Sequence, residues 1–246
     1  YDIKSKKMTE VDKCPWMFHY SLVSFKINWS CDNNWLAYEK EIANHNTAIF
    51  LYNLRENKSY QVTSGHYSDW NPAFDPDGKY LYFYTDRDLS PLRSAIDETW
   101  IYPNVTRMAA VSLRKDVPSP LAPRNDEVEI TEEKTTEKDG DSAKEEKKKG
   151  KDDKKEDESV KEKKEELKID IDNFERRLVI LPPEAGNYGK LEAISGFLIY
   201  LKNPRSGSAD QKNTLISYDL KERKEETIID NIDEYLLTSN GKKILV

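Results

Sequence analysis

Short apolar runs of branched and aromatic residues, separated by turn residues, set the rhythm of this chain. Ile49-Phe50-Leu51-Tyr52 and Leu215-Ile216-Ser217-Tyr218 carry side chains that suit a pleated, half-buried surface. The rhythm repeats. Tyr1-Asp2-Ile3-Lys4-Ser5-Lys6-Lys7 reads like Tyr52-Asn53-Leu54-Arg55-Glu56-Asn57-Lys58, and both read like Tyr218-Asp219-Leu220-Lys221-Glu222-Arg223-Lys224. A second element keeps step with the first. The segment from Trp29 to Tyr38 lies 45 residues ahead of the segment from Phe74 to Phe83, and Gly196 lies 45 residues ahead of Gly241. A period in the mid-forties, made of short strands and tight turns, is the signature of β-propeller blades. The expected fold is therefore all-β, with blades of four antiparallel strands.

The spacing places the strands. The most regular copy has them near Leu22–Trp29, Trp35–Glu39, Ala48–Asn53 and Ser59–Thr63. The next begins at Asn71–Phe74 and Tyr80–Thr85, takes its third strand from Arg107–Leu113 and its fourth from Arg177–Leu181, beyond an insertion. A third copy spans Leu191–Ile229, and a fourth starts at Glu234. Asp75-Pro76-Asp77-Gly78 is a turn with a mechanism: Pro presets φ and Gly accepts a positive φ at the exit. Its acids read as turn caps, because the ligand series of a calcium loop is absent. Asn33 stands where Gly78 stands, and Asn is tolerant of the left-handed region. The chain opens and stops within a blade, which reads as a segment of a longer protein whose open edges are covered in the parent.

Charge then divides the chain. Residues Asp126 to Lys168 hold 18 acids and 13 lysines and no aromatic, a balance of −5 out of −7 for the whole sequence. The acidity is thus mostly a property of this run and says little about partners of the folded part. Such a run buries too little apolar surface to offset the entropy of ordering it, so it is expected to be a disordered, solvated insertion. The expected organisation is blades over 1–123, a charged insertion over 124–168 and blades again over 169–246. The near balance of signs argues against a nucleic-acid arm. No apolar run is long enough for a membrane span.

The search for chemistry is mostly negative. His19, His45 and His66 form no metal pattern, and Cys14 and Cys31 belong to no CxxC or Cys/His cluster. There is no G-x-S-x-G, no G-x-G-x-x-G and no Walker loop. No catalytic, cofactor-binding or metal-binding residue is assigned. Trp29, Trp35, Trp70 and Tyr80 recur at equivalent positions and are expected to pack between blades. The loop Asp86–Asn104 is longer than its counterpart Lys40–Thr47, and Trp100-Ile101-Tyr102-Pro103-Asn104 lies outside the repeat. Loops that depart from a repeat carry specific contacts, so Trp100, Tyr102 and Asn104 are the candidate substrate or interdomain contact.

One combination of segments is more specific than the blade turns. It runs Thr99-Trp100-Ile101-Tyr102-Pro103-Asn104-Val105-Thr106-Arg107, then Val111 to Pro123, then the charged insertion, then Asp172-Asn173-Phe174-Glu175-Arg176-Arg177 and Leu181-Pro182-Pro183-Glu184-Ala185-Gly186-Asn187-Tyr188. Over nearly the whole chain this resembles the second propeller of bacterial tricorn-type proteases. The resemblance implies a large oligomeric serine peptidase in which this segment gates or scaffolds the access of peptides to a catalytic core beyond Val246. Peptide substrates, other domains of the same chain and a homo-oligomer of the parent are the partners it implies. Two rival readings stay open: the propeller of a prolyl-oligopeptidase-type peptidase, and a non-enzymatic envelope propeller that binds proteins. The expected compartment is the cytoplasm, with the periplasm as the alternative.

Overall fold

A computed structural model describes residues 1–14, 25–123, 166–205, 208–209, 212–238 and 240–246. The disordered insertion is expected over 124–168: of this, 124–165 lies outside the described residues, and within 166–168 Leu167 is buried, because it fills a core between two sheets. Strands β1 (Ile27–Trp29), β2 (Trp35–Glu41), β3 (Thr47–Asn53) and β4 (Lys58–Gln61) form one four-stranded antiparallel sheet in sequence order. The chain continues through β5 (Asp69–Phe74), β6 (Tyr80–Thr85), a separate short hairpin of β7 (Leu92–Arg93) with β8 (Trp100–Ile101), and β9 (Arg107–Ser112). Then β10 (Leu178–Ile180) pairs with β9, so the second sheet reads β5-β6-β9-β10. The third sheet is β11 (Asn187–Ile194), β12 (Phe197–Asn203), β13 (Asn213–Asp219) and β14 (Lys224–Ile232). A two-stranded pair, β15 (Leu236–Leu237) with β16 (Ile244–Leu245), follows. The all-β propeller architecture holds; the expected strand Leu22–Trp29 is described only from residue 25, and the third copy begins at Asn187 rather than Leu191.

The turns explain why the sequence repeats. Between the first two strands of each sheet a left-handed residue recurs: Asn33 at φ 59, Gly78 at φ 69, Gly196 at φ 80 and Gly241 at φ 66. Asn and Gly are the residues that enter this region at least cost. The segments beginning at Tyr1, Tyr52 and Tyr218 also share one device. Asp2, Asn53 and Asp219 cap their turns by accepting backbone N–H bonds, from Ser5, from Arg55 and Glu56, and from Lys221 and Glu222 respectively. Each turn then passes through a positive φ, at Lys6, Asn57 and Arg223. Asx capping of this kind is what the acid or amide at the second position of the repeat provides.

Every central strand buries both faces. In β6, Leu81 and Phe83 join one core with Trp35, Ala37, Ile49 and Leu51 of the first sheet, whereas Tyr82 and Tyr84 join another with Tyr188, Leu198, Tyr200 and Ile216 of the third. Period-two alternation of a strand thus makes one sheet the middle layer of two cores. The first strands of successive sheets touch, β1 with β5 and β5 with β11, so the sheets converge there. The segment returning from the insertion fills the opening between sheets one and two: Leu167 and Phe174 are buried in that core, with Ile169 and Ile171 packed against it. Asp32 accepts the Leu167 N–H at 2.9 Å and Trp35 Nε1 donates to the Leu167 carbonyl at 3.2 Å. On the other flank, Tyr80 Oη donates to the Pro118 carbonyl at 2.9 Å and Arg223 donates to the Ala122 carbonyl at 2.6 Å.

The recurring aromatics divide. Trp35 is buried between sheets, and Trp70 and Tyr80 pack against the second core. Trp29 departs from the expectation. It is about half exposed (49%), because the face of β1 on which it lies has no neighbouring sheet among the described residues.

Candidate functional site

Two regions could carry function, and each grows from a departure from strand regularity. The first lies where the first strands converge. Strand β5 bulges between Trp70 and Ala73, and the bulged residue Asn71 has φ 52. The bulge turns the Asn71 N–H toward sheet one, where the Glu39 carboxylate accepts it at 2.6 Å. The Asn71 amide turns the other way: Nδ2 donates to the Leu191 carbonyl at 3.1 Å, and the Leu191 N–H points back at Oδ1 at 3.5 Å. One buried asparagine therefore ties three sheets. Bulges serve this purpose because they re-aim a residue without ending the strand. Burial pushes the Glu39 carboxyl up to about 7, against the opposing pull of the Asn71 N–H and of Lys26.

Further along the convergence, Lys190 donates to the Tyr235 carbonyl at 2.7 Å, lies 4.7 Å from the centroid of the Tyr235 ring and pairs with Glu192 at 3.5 Å. Burial raises the Glu192 carboxyl above its ordinary value and Lys190 offsets part of that. A cleft of about 390 Å³ opens here between Asn28 of β1, Phe74 of β5, Glu192 and Ile194 of β11, and Leu237 of β15. Its lining is mixed: apolar walls, amides and a carboxylate of raised proton affinity. Such a surface can hold an extended chain by its backbone and by side chains of either polarity. Among the described residues no group of three or more His, Cys, Asp or Glu is placed to hold a metal ion.

The second region is the β7–β8 hairpin, where sequence reasoning put its candidates. Trp100 lies in β8 opposite Arg93, and Tyr102 follows it; their side chains are 59% and 54% exposed. Asn104 does not join them. It sits at the base of the hairpin, partly buried, in the left-handed conformation at φ 52. Leu89, Leu92, Ile96 and Ile101 are exposed on the same projection. The signal for these was present in Leu89-Ser90-Pro91-Leu92, an apolar pair flanking a turn outside the repeat. The Glu39–Asn71–Leu191 tie had no such signal, since its members lie in three different blades. Cys14 and Cys31 form no disulfide. Among the described residues no helix is long and apolar enough to cross a membrane.

The comparisons bear on the whole chain. The family described as the tricorn protease second beta propeller domain matches residues 1–246. A tricorn protease homolog of Saccharolobus solfataricus is 25% identical over 251 residues, which is 100% of this chain and 20% of that protein. The tricorn protease of Thermoplasma volcanium is 25% identical over 237 residues, covering 91% of this chain and 20% of the relative. A crystal structure of the tricorn protease superposes with a TM-score of 0.71 at 19% identity, covering 99% of this chain and 21% of that one. The chain thus spans about a fifth of the length of these relatives.

Proposed function

The chain belongs to the family of tricorn protease second β-propeller domains, and from that premise we propose that it gates or scaffolds the access of peptides to a catalytic core carried elsewhere in a longer serine-type peptidase. The observation that carries the reading is the cleft at the convergence of the first strands, with Glu192 in its wall. A passage built there meets an extended peptide with the amides of Asn28 and Asn240 and with the Glu192 carboxylate. It selects by size and by the polarity of its lining, not by a pocket for one side chain. Catalysis belongs, in this reading, to domains outside the 246 residues, so the isolated segment is expected to be inactive on peptides and the parent active on short ones.

The test is a Glu192→Gln variant of the parent, assayed on peptides of graded length and charge with thermal unfolding followed alongside. Loss of the carboxylate is expected to lower kcat/KM on lysine-rich peptides several-fold, to leave acidic peptides less affected, and to leave the unfolding temperature in place. Identical length and charge profiles for the two proteins would remove the gating role. A parent inactive on every peptide would remove the peptidase reading altogether.

A further inference from the structure

The connection between the second and third strands of a sheet is short in sheet one, where residues 42–46 link β2 to β3. In sheet two the same connection runs over residues 86–106 and contains the β7–β8 hairpin. It exposes six large apolar side chains: Leu89, Leu92, Ile96, Trp100, Ile101 and Tyr102, with Ile96 at the turn 97% exposed. Single exposed apolar residues are ordinary on protein surfaces, but a contiguous set on one projection marks an interaction site. Paired residues across an antiparallel ladder share a face. Leu92 opposite Ile101 therefore makes one face apolar, and Trp100 opposite Arg93 covers the other. A projection apolar on both faces and at its tip fits a groove rather than a flat surface.

Its charged groups are bonded to one another or to its base. Arg93 pairs with Glu98 at 3.3 Å, and Asp97 accepts the Thr99 hydroxyl at 3.0 Å. Asp88 pairs with Arg107 at 3.0 Å. The base is pinned as well. Asp86 accepts the Thr106 hydroxyl at 2.7 Å, and the Asp88 N–H donates to the Val105 carbonyl at 3.0 Å. Arg87 reaches down to Glu175 at 2.6 Å and to the buried Asp69 at 3.3 Å. An isolated two-stranded hairpin is marginal in water, so these bonds are what hold it in shape. A projection ordered in advance loses little conformational entropy when it docks.

The occupant follows from what lies outside the chain. The relatives are about five times as long, so most of the surface available to the hairpin in such a polypeptide belongs to its other domains. We propose that the β7–β8 hairpin is a docking finger, seated in an apolar groove of another folded domain of the same polypeptide. This rests on the reading of the chain as one part of a longer peptidase, and not on the gating role.

The experiment places a photoreactive benzoyl-phenylalanine at Ile96 in the full-length parent, irradiates it and maps the joined peptides by mass spectrometry. A mixture of ¹⁴N- and ¹⁵N-labelled parent separates links within a chain from links between chains. The expected result is a link within one chain to a segment outside residues 1–246, reduced at least five-fold by Ile101→Asp while the unfolding temperature stays unchanged. Links only between chains would overturn the proposal in favour of a subunit contact. No link, or a link indifferent to Ile101→Asp, would overturn it in favour of a solvent-facing hairpin. Peptide assays on the same samples keep the two readings apart. A labelled parent that gives no link yet still selects peptides by length strikes this proposal alone, and a parent that links as expected yet shows no length selectivity strikes the gating role alone.

Discussion

Strand β6 offers Leu81 and Phe83 to sheet one and Tyr82 and Tyr84 to sheet three, so neighbouring residues of one strand build two different seams. The first seam is hydrocarbon. Trp35, Ile49, Leu51, Phe74 and Val111 fill it, and the returning limb adds Leu167 and Phe174 where the sheets diverge. The second sets tyrosine rings among Met108, Leu181, Leu191, Leu198 and Ile216. Tyr84 lies on Tyr188 with centroids 5.4 Å apart and planes 7° from parallel, and Tyr188 meets Tyr200 edge-on at 5.6 Å. At the rim the hydroxyls are bonded, Tyr200 to Glu225 and Tyr188 to the Glu184 carbonyl. In the middle, Tyr82 Oη and Tyr84 Oη are buried without a partner in the described structure. Apolar burial in the first seam carries no such penalty. Aromatic contacts in the second add directional preference, because stacked and edge-on geometries are favoured over others. The first seam thus gains its cohesion without an unpartnered buried polar group among the described residues, and the second adds a preferred ring geometry at the cost of two buried hydroxyls.

The sharpest test of that contrast is Phe83→Ala. A fully buried ring removed from a hydrocarbon seam is expected to cost about 3–5 kcal/mol in urea unfolding. A loss below about 1 kcal/mol would mean that the returning limb collapses into the space and that the seam is not tightly packed.

A second test concerns the tie that crosses both seams. Glu39 has its carboxyl raised to about 7 in the folded chain, against an ordinary value of 4.5. Between those values the folded state keeps a proton that the unfolded state has lost, so stability from this group falls as pH rises from 4.5 to 7 and is level above. The difference amounts to about 3 kcal/mol at most. Glu39→Gln keeps an oxygen for the Asn71 N–H and removes the charge. It is expected to match the natural chain at pH 5 and to exceed it at pH 8, with Lys26 as the neighbouring charge that tempers the gain. Equal destabilisation at both pH values, followed by thermal unfolding, would show that the carboxylate–Asn71 bond outweighs the cost of burying the charge.

The smallest effect belongs to the phenol stack. Tyr84→Phe deletes a buried hydroxyl that has no partner and keeps the ring, so stability is expected to stay level or to rise by up to about 1 kcal/mol. Tyr200→Phe deletes a hydroxyl bonded to Glu225 and is expected to cost about 1 kcal/mol. Chemical denaturation of the pair checks the sign. If both variants lose equally, an ordered water serves Tyr84 and the two seams differ less than their side chains suggest.

Much of the fold was legible because its signals are local. Asp75-Pro76-Asp77-Gly78 names its turn, Asn33 stands in for Gly78 with nearly the same backbone, and the Asp or Asn after each repeat tyrosine caps a turn. Strand four of the second sheet was found beyond the insertion from its spacing alone. Less legible were groups whose partners are distant in sequence. Leu167 sits inside a run read by its charge, yet its side chain is buried against Trp35, 132 residues away. Ile169, Ile171 and Phe174 look like any apolar residues near a strand, and only the opening between two sheets gives them a place. For the candidate site, departure from the repeat pointed to Trp100, Tyr102 and Asn104; the first two are exposed on the hairpin and Asn104 lies at its base.

The late arrival of β10 has a consequence for synthesis on the ribosome. Val111 pairs with Leu178, so β9 waits for its outer partner until the whole charged run has been translated. At roughly 5–20 residues per second that wait lasts several seconds or more. During it the edge of β9 and the hydrocarbon face later covered by Phe174 are open to other chains. The entropic cost of closing so long a loop grows only slowly with its length, so the delay is a hazard of timing more than of final stability.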